Sequence, residues 1–357
     1  MSAMRSSFMP CLLLLAAACG AAGCQRRTEL LPAAADSSLH APADSFATLA
    51  HEASDRWESG MNDEAAEMSA RLVRQALTVR PNGPWPERAR GVLDSLGIGA
   101  EAAGDARATV VNMFARSDPE GPSYPYLYWH QQDGLRVQPL ESRGLHLNDV
   151  ATHAFAHADT PQDSAQVAVL WSRRVGGGMQ PQVMVWRFAH GRWDLLQSLG
   201  ADSLGGTGSG EFAANDSSAE LQTRTFHPAA YFDECPTCPH VYHARRFRWG
   251  AAGFARLDDR AGPSPYSTFT AFIGALVAND RERAMPLVAE SPLIDFARRF
   301  DWQSPGMGRW RVAPATDETA SQMVFFRGAK EAYRVTFESR DGDWVIAGFE
   351  PATRNLE

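Results

Sequence analysis

One pattern recurs four times and commits much of the chain to β structure. A run alternating apolar and polar residues leads into a short turn containing glycine, and an aromatic or apolar residue then opens a second such run. It appears in YLYWHQQDGLRV (126–137), VMVWRFAHGRWDLL (183–196), ARRFRWGAAGFARL (244–257) and YRVTFESRDGDWVI (333–346). Alternation with period two sends successive side chains to opposite faces of a strand. Gly134, Gly191, Gly253 and Gly342 supply the positive φ that tight hairpin turns need. Aromatic residues such as Trp186, Phe188 and Trp193 then pack across the hairpin. The first three turns come at near-equal intervals, so residues 105–260 read as an antiparallel β module with repeated hairpins. Its topology stays open between irregular propeller-like blades and a meander folded into a sandwich; three units are too few for an ordinary propeller.

The flanks follow a helical period. Residues 44–104 read as a helical hairpin segment: Phe46, Leu49, Ala53 and Trp57 share a face, Gly60 interrupts, and Ala65, Met68, Leu72, Val73 and Leu77 share another. Asn62 is placed to cap the second helix, and Pro86 and Gly97 bracket a third. The run from Gly60 through Glu64-Ala65 and Ala76-Leu77 to Pro81 resembles a single tetratricopeptide repeat, with about one extra turn between its alanine positions. A plain helical hairpin explains the same residues.

Residues 261–357 read as a separate α+β module. GPSP (262–265) reads as a linker. Phe269, Phe272, Ile273 and Leu276 line one face of a helix, Ser291-Pro292 starts another, and strands follow from Trp310 onward. The fold class of the whole chain is therefore α+β. AFIGALVANDRERAMPLVAE together with YRVTFESRDGDWVIAGFEP resembles the nuclear-transport-factor-2-like superfamily. The resemblance implies a cone-shaped fold; enzymes of that superfamily place an Asp and a His in the cone. This stretch contains no histidine, which turns the expectation toward binding or packing.

The chain opens with MSAMRSSFMPCLLLLAAACGAAGCQRRTE. A charged start, an apolar run of about 11 residues and small residues describe a secretory signal peptide, too short for the roughly 20 residues of a membrane span. AAAC ending at Cys19 and AAGC ending at Cys24 resemble the lipobox of bacterial lipoproteins, although alanine replaces the usual leucine. That resemblance implies cleavage before an acylated cysteine. With five cysteines in the chain, cutting before Cys24 leaves one lipidated cysteine and one possible pair. Cutting before Cys19 leaves an odd thiol in an oxidising compartment. Cys24 is thus the expected lipidation site, with Cys19 the alternative. Residues 1–23 would be the signal peptide and 24–43 a flexible tether. The bilayer becomes a partner through the acyl chains, the soluble part faces the periplasm, and the absence of aspartate at the following position favours the outer membrane.

A net charge of −8 argues against nucleic acid, which demands a basic stripe. The single lysine, Lys330, among 34 basic residues reflects arginine-favouring codon usage.

Chemistry concentrates in FDECPTCPHVYH (232–243). Cys235, Cys238, His240 and His243 are borderline-soft ligands, and C-x2-C is a common zinc half-site. On one strand, however, His240 and His243 point to opposite faces; both reach the cysteines only if the strand begins after His240. Pro239 stands where c-type haem attachment requires histidine, and the strand-then-helix context of thioredoxin is missing. The leading expectation is a Cys235–Cys238 disulfide closing a small loop, with zinc and a redox centre as alternatives.

HLNDVATHAFAHAD (146–159) adds His146, Asp149, His153 and His157, spaced for a metal on either a strand or a helix but with no carboxylate fixed beside them, so a solvated surface is the leading expectation. Eight of the ten histidines lie between His130 and His243. YPYLYW (124–129) is aromatic enough to stack on glycans or staple a peptide, but its leading reading is core, since alternate positions of a strand must fill an interior. LGGTGSG (204–210) lacks the Lys-Ser/Thr of a phosphate loop and reads as a flexible loop. The expected function is a non-catalytic binding protein of the envelope, with an envelope protein, peptidoglycan or a small ligand as partner. The alternatives are a metal-binding protein or metal-dependent hydrolase built on Cys235, Cys238, His240 and His243, and a thiol-disulfide protein.

Overall fold

A computed structural model describes residues 43–352 apart from 81–82, 142–144, 155–164, 177, 216–217, 314–315 and 318. The expectations for the leader, for Cys19 and Cys24, for most of the tether and for His157 lie outside the described residues. Those residues form a mixed α+β structure of seven α-helices and four antiparallel sheets of four strands each.

Three helices come first: α1 (Ala43–Glu58), α2 (Asn62–Val79) and α3 (Trp85–Ser95). Gly60, at φ 77°, separates the first two. Asn62 is not the cap of α2. Met61 occupies the cap position without a side-chain hydrogen bond, and Asp63 and Glu64 in the first turn favour the helix N-terminus instead. The helical stretch stops at Ser95, because Gly99–Gly104 is already a strand.

Sheet A is a meander of β1 (Gly99–Gly104), β2 (Ala108–Phe114), β3 (Ser123–Gln131) and β4 (Gly134–Pro139). Sheet B repeats the plan with β5 (His146–Ala154), β6 (Ala165–Val175), β7 (Gly178–Ala189) and β8 (Arg192–Leu199). A short helix, α4 (Ala201–Leu204), leads to sheet C: β9 (Thr207–Asn215), β10 (Ser218–Phe226), β11 (His243–Gly250) and β12 (Gly253–Ala261). The predicted turn glycines sit at hairpin tips, with φ of 130° at Gly134, 82° at Gly191, 98° at Gly253 and 89° at Gly342.

These parts stack in layers. Val111, Met113 and Tyr128 on one face of sheet A share a core with Val73, Leu77, Trp85 and Leu93 of the helices. Val110, Leu127 and Trp129 on the other face meet Val167, Val169, Trp171 and Trp186 of sheet B. The intervening residues of sheet B, Ala168, Leu170, Val183 and Val185, meet Leu221, Phe247 and Trp249 of sheet C. Sheet B is thus buried on both faces, which is why Val167–Leu170 is an unbroken apolar run rather than an alternating one.

LGGTGSG is not a loop but the end of α4 and the start of β9. Its glycines serve close backbone approach. A Cβ on Gly205, at φ 94°, would strike the Arg245 guanidinium, and one on Gly208 would strike the Arg224 carbonyl.

The C-terminal part begins at α5 (Pro265–Val277), started by a capping box between Ser264 and Ser267. It continues through α6 (Arg281–Ala284) and α7 (Pro292–Arg299) to a fourth meander, sheet D. The strands of sheet D are β13 (Trp310–Val312), β14 (Gln322–Arg327), β15 (Glu331–Arg340) and β16 (Asp343–Pro351). Ser291 precedes Pro292 at the start of α7 but makes no side-chain cap. The interior is aromatic: Phe269 stacks on Phe325 at 3.8 Å, and Trp302 lies against Phe349 at 4.2 Å. Buried Arg327 crosses it, donating to the carbonyls of Asp301 and Phe300 at 2.8 Å each and to Glu331 at 2.6 Å. No helix among the described residues is long and apolar enough to cross a membrane.

Candidate functional site

The cysteine–histidine stretch lies in the connection between β10 and β11, and that connection leaves sheet C altogether. Phe232 forms a parallel bridge with Trp310 of β13. The Asp233 N–H donates to the Trp310 carbonyl at 2.7 Å, and the Trp310 N–H donates to the Tyr231 carbonyl at 2.8 Å. The Phe232 ring, 1% exposed, sits in the C-terminal core with Tyr266 and Phe269 around it. Arg309 reinforces the attachment through Asp233 at 2.6 Å and the Phe232 carbonyl at 3.1 Å. Residues 227–242 therefore depart from sheet C, dock into the C-terminal core and return.

The two cysteines sit at the tip of this excursion. Their sulfurs are at disulfide-bonding distance, with Cα atoms 5.0 Å apart. A turn hydrogen bond from the Cys238 N–H to the Cys235 carbonyl, at 3.0 Å, closes the same four residues. Cys238 is buried near the Val312 carbonyl. Cys235 is partly exposed, and Pro236 and Thr237 are open to solvent.

Glu234 is the polar hub beneath the tip. Its buried carboxylate accepts from the Tyr266 hydroxyl at 2.8 Å and from the Ala229 N–H at 3.0 Å. His240 Nδ1 meets the other oxygen at 2.7 Å. The His240 ring stacks on Phe226 at 3.6 Å, and its Nε2 is buried without a hydrogen-bond partner. Burial, with the Glu234 charge beside it, pushes the Tyr266 phenol far above the ordinary tyrosine range. Tyr266 therefore stays protonated and acts as a donor.

His240 and His243 do not converge. The strand does begin after His240, at His243, yet His243 turns to Asp259, 2.8 Å from Nδ1. Asp259 also takes Arg245 Nε at 2.8 Å. Burial works against the charge on Asp259, but these two partners prevail and hold its carboxyl below the usual range. Each histidine is paired with its own acid, and neither is shared with the cysteines.

The second histidine group is likewise dispersed. His146 and His153 stand near opposite ends of β5. His153 faces Trp249 at 5.9 Å. Asp149 accepts the Val150 N–H, and burial raises its pKa. His146 does have fixed carboxylates, contrary to expectation. Glu101 Oε1 is 3.1 Å from Nδ1 and Glu120 Oε2 is 3.3 Å from Nε2. Both come from sheet A and its loop, a long way off in sequence. Burial disfavours the charged ring, but the two acids outweigh it and raise the His146 pKa above its ordinary value. Among the described residues, no group of three or more His, Cys, Asp and Glu side chains is arranged to hold a metal ion.

The outward face of sheet C is concave. An open groove of about 540 Å³ is floored by Ser209, Gly210 and Ala244 and walled by Arg224, Arg246, Arg260, Gln222, Glu211 and Asp258. The register explains the grid: Ser209, Arg224, Ala244 and Arg260 lie in one cross-strand row, and Glu211, Gln222, Arg246 and Asp258 in the next. In the first row the small side chains of Ala244 and Ser209 leave the hollow, and the second row closes it with long polar ones. Arg246 holds Asp258 at 2.8 Å, and the Arg224 guanidinium lies 3.7 Å over the Tyr242 ring. YPYLYW divides between faces, with Leu127 and Trp129 toward sheet B and Tyr128 toward the helices.

No family model matches this chain, and no curated protein matches it. The acids that organise the site, Glu101, Glu120, Glu234 and Asp259, were not singled out from sequence. Only Glu234, directly before Cys235, carried a local signal.

Proposed function

We propose that this chain is a lipid-anchored, periplasm-facing binding protein of the outer membrane, not an enzyme, and that the outward groove of sheet C receives an acid-bearing polar ligand such as peptidoglycan. The carrying observation is the groove itself. Its lining sets Arg224, Arg246 and Arg260 against two carboxylates, Glu211 and Asp258, in a chain of net charge −8. Arginine forks suit carboxylates, and the small Ser209 and Ala244 side chains leave room for a ligand between them. The candidate histidines are engaged by acids: His146 by Glu101 and Glu120, His240 by Glu234, His243 by Asp259. The C-terminal unit, which resembles nuclear-transport-factor-2-like domains, has an aromatic-filled interior, and this supports a packing role. The anchor rests on the lipobox resemblance, with Cys24 as the acylated residue and Cys19 as the alternative.

The test is co-sedimentation of the full-length protein, in detergent, with purified peptidoglycan. Replacing Arg224 and Arg260 together by alanine should weaken binding about tenfold or more. Absence of binding, or binding indifferent to the double variant, overturns the groove. Mass analysis of the membrane-extracted N-terminal peptide, together with fractionation of Cys24→Ala, tests the anchor separately.

A further inference from the structure

The placement of the CPTC tip carries a second function, independent of the groove. We propose that Cys235–Cys238 is a thiol-exchange site, opened by a dithiol that attacks Cys235, while the loop bearing it stays docked in the folded protein.

Three observations converge. The sulfurs are unequally presented: Cys238 is 8% exposed against the Val312 carbonyl, whereas Cys235 is partly exposed beside solvent-exposed Pro236 and Thr237. An incoming thiolate has one reachable target, and exchange is governed by which sulfur can be attacked. Second, the bond joins residues only three apart. So small a loop removes little chain entropy, so the bond adds little to the stability of the fold. Third, the excursion is held by other means on both sides of the cysteines. Phe232 is buried, Asp233 is tied to Arg309, and Glu234 is bound to Tyr266, Ala229 and His240. A bond that is accessible, weakly stabilising and set in an independently anchored loop can open and close without unfolding.

The step balances as follows. A donor thiolate attacks Cys235 Sγ, forming a donor–Cys235 disulfide and breaking the Cys235–Cys238 bond. Cys238 leaves as a thiolate and takes up the proton lost by the donor thiol. The donor's second thiol then attacks its own mixed disulfide, releasing Cys235. The donor ends as a disulfide, oxidised by two electrons, and the chain ends as a dithiol, reduced by two.

The experiment uses full-length protein purified in detergent without reductant. Opening of the bond by dithiothreitol is followed by alkylation and peptide mass mapping, which separates this pair from the N-terminal cysteines. Near-UV circular dichroism monitors the ten tryptophans. Opening in the folded protein within about a hundredfold of the rate in guanidinium supports the proposal, provided the tryptophan signal persists. Slower opening, or opening only with loss of that signal, overturns it. Acid-quenched reaction with glutathione identifies the attacked sulfur in the wild type: adduct on Cys235 is the expected result, and adduct on Cys238 overturns it. Thiols that are free as isolated and that oxidised glutathione fails to join also overturn it.

Discussion

The hydroxyl of Tyr266 donates to Glu234 Oε1 at 2.8 Å, joining the first turn of α5 to a loop suspended between two strands of sheet C. Tyr266 is 1% exposed, so no water replaces a lost donor. Tyr266→Phe removes one of the carboxylate's three donors and leaves the ring packing intact. Hydrogen bonds to charged groups are worth about 1.5–3 kcal/mol, and the variant should lose that much stability. Chemical denaturation of both proteins measures it; a loss within error of zero would mean that Glu234 does not depend on this bond.

Gly205 offers a backbone test. Its φ is 94°, and the space a Cβ needs is taken by Arg245 and Thr225. Arg245 is itself committed to Asp259 and Thr225, each at 2.8 Å. Gly205→Ala must therefore strain the chain or displace a buried guanidinium, costing about 1–3 kcal/mol. Gly342→Ala is the control: φ is also positive, at 89°, but nothing lies within 4 Å. Thermal unfolding should rank Gly205→Ala as clearly the worse; equal melting temperatures would refute the packing argument.

His146 gives sheets A and B a pH-dependent tie. Its folded pKa is raised, because Glu101 and Glu120 outweigh the opposing effect of burial. A pKa raised on folding contributes stability that is complete below the unfolded value, about 6.5, and is lost as pH rises through the folded value. Wild type should therefore exceed His146→Gln by more at pH 5.5 than at pH 8.5. With the ring one quarter exposed, the difference should be about 1 kcal/mol or less. Urea midpoints at the two pH values decide; an advantage that grows with pH would reverse the sign and sink the assignment.

What the chain discloses in advance follows from the range of each interaction. The hairpins around Gly134, Gly191, Gly253 and Gly342 were legible because turn chemistry and alternation are local. The stacking of sheets was not, since Val167–Leu170 records burial on both faces without naming what covers them. LGGTGSG misled for a related reason: glycine marks a loop when nothing is nearby, but here it marks Arg245 and the Arg224 carbonyl pressing close. The cysteine–histidine stretch displayed its ligand-type residues, while the acids that claim the histidines lie elsewhere. Asp259 reaches His243 only through the pairing of β11 with β12, and Glu101 reaches His146 only when two sheets meet.

The excursion through Phe232 also bears on the order in which the polypeptide matures. Phe232 is made well before Trp310, the residue it bridges. Sheet C can zip β11 onto β10 while that phenylalanine still lacks its cover. For the whole interval during which α5 to α7 emerge, a bare aromatic loop hangs from an otherwise finished sheet. Nascent chains ending before β13 would be sticky at this one point, and cellular quality control would read Phe232 as the sign of an incomplete molecule.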